Sequence, residues 1–246
     1  MVTMWSREDC DGSGCYLADM APRNDAQRVT ALLSGPPATW LMTGDSITQA
    51  QNCSDGRRGY ADLFAEHVRG DLRLGRVRDA VLNTGVSGST VENALAEFHW
   101  RIGRFSPDVV SIMFGMNDAT AGRDGVGHFA FHLHQLVNRT MDLGAAVILH
   151  TPYPEGPGGD GHHAALPDYA AAVRSLGDSQ GIPVVDHHAH WLAFGALPKW
   201  YLDPWHANAR GHVEMARLFV RTFDASADIG WLDALADELD QVPARS

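Results

Sequence analysis

The strongest constraint on this chain is an alternation: short apolar runs of strand length recur between longer segments with helical spacing. Residues 39–42, 79–83 (DAVLN), 108–114 (DVVSIMF), 145–150 (AAVILH) and 182–186 (IPVVD) read as strands. Residues 60–69, 90–98, 128–143, 167–180 and 211–223 read as helices, with Thr90 placed to cap the second. Shorter helices are expected over 25–34 and 231–239. The runs at 108–114 and 145–150 are apolar almost throughout, so both faces of those strands must be covered. That condition is met by a parallel sheet of βαβ units with helices on both sides. In such sheets, ligands bind beyond the carboxyl ends of the strands.

A chain of 246 residues fits one domain with a substantial core. We divide it into an N-terminal extension, partly irregular, over 1–35, a main domain over 36–225, and a C-terminal helical tail over 226–246 packed on that domain. The Gly-rich stretch 154–161 (PEGPGGDG) is a loop rather than a linker. The formal charge of −11 argues against nucleic acid or an anionic membrane surface as partner. No apolar run reaches the roughly 20 residues that span a bilayer. The start, MVTMWSREDCDGSGCY, lacks a basic segment followed by an apolar one, so a cytoplasmic protein is expected. Three cysteines argue against a disulfide framework, and a local Cys10–Cys15 bridge stays open.

Polar residues collect after the strand candidates. Gly44-Asp45-Ser46 follows the first, a segment ending in Ser87-Gly88 the second, and Gly115-Met116-Asn117-Asp118 the third; Asp203-Pro204-Trp205-His206 precedes the last long helix. A serine hydroxyl is a poor nucleophile until a neighbouring base takes its proton, and histidine suits that task. The imidazole in turn needs a carboxylate on its other nitrogen, and Asp203 stands three residues before His206. Acyl transfer also needs donors for an oxyanion, for which the Ser46 N–H, the Gly88 N–H and the Asn117 amide are candidates. Each block alone has a plainer reading, as a turn glycine, an Asx turn or a helix cap. GVSGS at 85–89 nearly matches a GxSxG elbow but ends in Ser89, which makes Ser87 a weak rival nucleophile.

Taken in order, GDSIT (44–48), the glycine of SG (87–88), GMND (115–118) and DPWH (203–206) resemble the SGNH superfamily of GDSL-type esterases and lipases, from about residue 40 to 220. The resemblance implies a flavodoxin-like three-layer α/β/α sandwich. It implies Ser46 as nucleophile, His206 as base and Asp203 as its orienting acid, with Ser46, Gly88 and Asn117 as the oxyanion hole. Asp45 is then expected to hold the local turn.

The activity so implied is a serine esterase or deacylase, with no cofactor or metal, acting on a small-molecule ester, its acyl group a small one on a sugar or other alcohol. An acyltransferase using the same site and a non-hydrolytic binding protein on this fold are the alternatives. Met116, Trp200, Trp205 and Tyr153 are candidates to line the pocket. Asp186, His187, His188 and His190 (DHHAH), with His162-His163, have the composition of a metal site. Adjacent histidines on an extended segment face opposite ways, however, so packing or solvated histidines are expected instead. Arg57 and Arg58, after the nucleophile turn, are read as solvated. Oligomeric state is not legible in the sequence.

Overall fold

The computed structural model describes residues 24–50, 54, 56–70 and 74–241. The expected irregular start and the question of a Cys10–Cys15 pair lie outside the described residues. Five strands form one sheet: β1 (Thr39–Gly44), β2 (Ala80–Asn83), β3 (Val109–Met113), β4 (Ala146–His150) and β5 (Val184–Val185). All pairings are parallel and the spatial order is β2-β1-β3-β4-β5. That is the flavodoxin-like order, and the three-layer α/β/α expectation holds. β3 and β4 are buried at every position, the sequence consequence of their unbroken apolar runs.

One helical layer holds α1 (Asp25–Ser34), α3 (Tyr60–Arg69) and α9 (Ala209–Phe223). The other holds α4 (Val91–Ala96), α6 (Val126–Asp142) and α7 (Leu166–Gln180). Shorter helices are α2 (Ser46–Gln49), α5 (Phe98–Arg101) and α8 (His187–Ala193), and α10 (Gly230–Asp240) packs on α9. Each expected helix forms, with two adjustments. Thr90 caps α4 as expected, but the helix breaks at Glu97 and restarts as α5. The segment expected to run extended from 182 to 186 keeps only two strand residues.

The described part of the expected N-terminal extension is helical and packs on the sheet. α1 belongs to the sandwich: the fully buried Asp25 carboxylate accepts Val147 N–H at 2.9 Å, and Arg28 donates to Gly144 O at 2.6 Å. A buried charge so paired to a core strand is part of the domain it serves. No described helix is long and apolar enough to cross a membrane.

In this strand order the chain reverses direction across the sheet between β1 and β3. The loops leaving those two strands therefore diverge to opposite faces and open a crevice at their carboxyl ends. Gly44-Asp45-Ser46 leaves β1 and Gly115–Asp118 leaves β3, so two of the four polar blocks flank that crevice.

Candidate active site

β1 turns into α2 without a loop. Asp45 is the N-cap, its Oδ1 accepting Ile47 N–H at 2.9 Å, and Ser46 is the first helical residue. Only glycine fits before it: a Cβ on Gly44 would stand 2.1 Å from Thr48 Oγ1 and 2.6 Å from Met113 O. The cap is buried, and that burial pushes the Asp45 carboxyl up to about 7. Asp45 is thus committed to the turn, as expected, while Ser46 remains partly exposed. α2 is pinned from beneath by a 3.0 Å bond between the Thr48 and Tyr60 hydroxyls, and from the side by Asn83 Nδ2 donating to Thr48 O at 2.7 Å.

The candidate base arrives from 160 residues away: Ser46 Oγ lies 3.0 Å from His206 Nε2. His206 sits in a tight loop closed by a bridge between Tyr201 and Ala207, and Asn208 then caps α9 through Gly211 N–H. Within the loop, Asp203 Oδ1 accepts Trp205 N–H and His206 N–H, both at 2.9 Å, and Oδ2 lies 2.8 Å from His206 Nδ1. Burial alone would raise the Asp203 carboxyl, but the bonds and charge of His206 and the Trp205 N–H outweigh it and hold it below its usual range. A carboxylate facing Nδ1 selects the tautomer with its proton there, which leaves Nε2 as the acceptor facing Ser46.

The loop is held by Tyr153. Its buried hydroxyl donates to Trp205 O at 2.9 Å and accepts Ala207 N–H at 2.7 Å, one bond on each side of His206.

The oxyanion candidates differ in readiness. Ser46 N–H, at the first turn of α2, and Gly88 N–H have no intramolecular acceptor among the described residues. Gly88 adopts φ +76, a left-handed conformation natural to glycine, which presents its N–H. Asn117 Nδ2 already donates one proton to Ser89 O at 3.0 Å, so its second N–H is the one left for a ligand.

Two further side chains build this corner, Arg101, which the sequence reading missed, and Asp118, which it named without a role. Arg101, 1% exposed, donates to Ser89 Oγ at 2.7 Å and Gly44 O at 3.5 Å, joining the β1 and β2 exits. Asp118 accepts Val91 N–H and Gly115 N–H, each at 3.0 Å, tying α4 to the β3 exit; burial pushes its carboxyl up to about 6. An arginine in a short helix carries no local signal that it will be buried.

The remaining expectations divide. Ser87 is exposed and its N–H binds Gln49 Oε1 at 3.1 Å; the imidazole is bonded to Ser46 instead. Trp205 is partly exposed beside His206, and Met116 is 4% exposed next to Asn117. Trp200, 2% exposed, packs on Trp191 and His190, and Tyr153 is wholly buried. The rings of these two lie in the core, and the Tyr153 hydroxyl bonds the turn that carries His206.

The DHHAH segment is not extended. Asp186 caps α8, and His187 and His188 point into the protein from its first turn. His187 stacks on His150, whose Nε2 lies 2.8 Å from Ser111 Oγ. Burial pushes His150 down to about 3 and His212 to about 4, so these are neutral packing rings. Of the arginines after the nucleophile turn, Arg58 pairs with Glu66.

The profile of the GDSL-like lipase/acylhydrolase family matches residues 42–213. An acetylxylan esterase of Geobacillus stearothermophilus is 28% identical over 202 residues, covering 74% of this chain and 91% of the relative. Among solved structures, a catalytic mutant of Axe2, an acetylxylan esterase from Geobacillus stearothermophilus, superposes with a TM-score of 0.67 at 25% identity, over 77% of this chain and 95% of that one. LAE5, an alpha/beta hydrolase from the metagenome of Lake Arreo, gives 0.65 at 25% identity, over 78% and 97%. With the family match spanning most of the chain, three polar blocks following strands and the fourth preceding α9, this protein belongs to the GDSL-like lipase/acylhydrolase family and is a carboxylic ester hydrolase.

Proposed function

We propose that the chain is a serine deacylase that removes a small acyl group, acetyl in the first instance, from a sugar or comparable small-molecule alcohol. The observation that carries the reading is the relay Ser46 Oγ–His206 Nε2 at 3.0 Å and His206 Nδ1–Asp203 Oδ2 at 2.8 Å. Ser46 Oγ attacks the ester carbonyl as His206 Nε2 takes its proton. The Ser46 N–H, the Gly88 N–H and the free N–H of Asn117 receive the oxyanion. His206 returns the proton to the leaving alcohol, and an acyl-Ser46 ester remains. Water then attacks that ester, His206 again acting as base, and the acid departs. Asp203 stays ionised and holds the ring. The acetyl preference is supported by the acetylxylan esterase relatives.

The test is fluorophosphonate labelling with peptide mapping, beside hydrolysis of p-nitrophenyl acetate, butyrate and octanoate and of acetylated xylooligosaccharides. One adduct on Ser46 that needs His206, and rates falling with acyl length, are expected. Ser46→Ala should lose on the order of 10⁴-fold or more in rate. Unchanged turnover in that variant refutes the mechanism; a rate that rises with chain length refutes the small-acyl assignment.

A further inference from the structure

The loop after β4 holds a group of side chains that the hydrolytic reaction does not use. Glu155, Asp160 and His163 each offer one ligand atom, and these atoms lie within 4.8 Å of one another. His163 is only 8% exposed. Its Nδ1 and Glu155 Oε1 are both buried, neither has a hydrogen-bond partner, and they face each other 3.9 Å apart, beyond hydrogen-bond reach. A ring nitrogen and a carboxylate oxygen buried face to face leave a gap that a cation fills.

We propose that Glu155, Asp160 and His163 form a divalent-cation site, suited to Zn²⁺, that braces the loop carrying them against the Asp203–His206 turn. One imidazole and two carboxylates are an ordinary zinc donor set, with water as the fourth ligand. Zinc bonds of roughly 2.0–2.2 Å set tetrahedral ligand spacings of about 3.4 Å, so the side chains need to close only slightly. Asp160, whose side chain is 55% exposed, supplies the third ligand, and its Oδ1 also accepts His162 N–H at 3.1 Å.

The bracing follows from three contacts. The His163 ring lies 5.9 Å from that of Trp205, Gly156 N–H donates to Pro204 O at 2.7 Å, and Tyr201 Oη donates to Pro154 O at 2.8 Å. Fixing Glu155 to His163 therefore fixes both flanks of the loop that presents His206.

The test uses metal-stripped full-length protein, with Zn²⁺ titrated by calorimetry and followed by thermal denaturation. The variants are Asp160→Asn and His163→Gln, with His128→Ala as control because Glu92, His128 and His132 form a second, exposed donor group. Zn²⁺ at a hundred times its Kd should raise the wild-type Tm by roughly 5–10 °C. Both loop variants should bind at least about tenfold more weakly and so lose about half of that shift or more, while His128→Ala keeps the full shift and affinity. Asp160→Asn alters an exposed side chain, so its metal-free Tm should match the wild type and its loss of binding is not a folding defect. No zinc-dependent shift in the wild type overturns the proposal, as does the full shift retained in Asp160→Asn. Ester hydrolysis by the stripped protein is a separate readout that neither result decides.

Discussion

Tyr153→Phe separates two roles that a buried phenol beside an active site can have. The ring is wholly enclosed, so phenylalanine fills the same space and opens no cavity. What is lost is the hydroxyl, which serves Trp205 O and Ala207 N–H on either side of His206. A buried backbone group deprived of its partner costs about 1–3 kcal/mol, which for two groups comes to roughly 2–4 kcal/mol after partial relaxation. In a chain of this length that corresponds to a fall in Tm of roughly 4–16 °C. The chemical consequence is a base held less firmly. Misplacing a catalytic group by about 1 Å can cost on the order of 10²-fold, so kcat should fall about 10–100-fold, with KM within about twofold of wild type. Circular dichroism melts, with p-nitrophenyl acetate kinetics run well below the variant's Tm, read both effects. An unchanged Tm and kcat with a tenfold rise in KM would refute the argument, because that pattern belongs to a hydroxyl that binds substrate.

Other outcomes follow from the same geometry. Asp203→Asn keeps the shape of the turn but offers His206 the wrong partner for its Nδ1 proton, so kcat should drop on the order of 10⁴-fold with the fold intact; near-normal turnover would remove Asp203 from the relay. Asn117→Ala should lower kcat about 10²-fold or more while shifting Tm little, since only its bond to Ser89 O is structural; a loss confined to Tm would argue against an oxyanion contact. Glu214 is buried, and burial alone would raise its carboxyl, but the nearby His190 ring, the bond from Arg210 and the charges of Arg217 and Arg210 hold it near 2. Its folded value lies below its unfolded one, so the stabilisation is complete above about pH 4.5 and disappears as the pH falls toward 2. Allowing for screening at the arginines, Glu214→Gln should cost roughly 1–3 kcal/mol at neutral pH, and the gap should close in acid; a gap independent of pH in urea melts would assign the loss to packing.

The sheet was legible because its strands advertise themselves. A run such as VVSIM has nothing polar to offer solvent except Ser111, and the structure gives that hydroxyl a buried partner in His150. Helix starts were legible where a capping side chain sits, as at Thr90, and less so where a helix breaks, as at Glu97. The relay of Ser46, His206 and Asp203 could be proposed because each member lies in a short block at a strand or helix end. What stayed hidden was direction. Tyr153 and Trp200 had the right composition and neighbourhood for a pocket wall, but only tertiary packing decides which way an aromatic ring points. The histidines of DHHAH were misread as extended because Asp186 was not recognised as a helix cap. Arg101 was invisible because its partners, Gly44 O and Ser89 Oγ, come from two other strand exits.

Under the proposed mechanism, the wide separation of Ser46 and His206 along the chain makes ester cleavage a reporter of complete assembly. Every proposed oxyanion donor lies before the Gly-rich loop, whereas the proposed base and its orienting acid lie after it, on the approach to α9. A polypeptide emerging from the ribosome carries an inert serine until that helix has docked on the sheet. Cutting the chain between 156 and 161 would yield two fragments, one bearing the nucleophile and the other the base, each silent alone. Colour from a chromogenic acetate would then register their reunion, turning the enzyme into a gauge of how the two halves find each other.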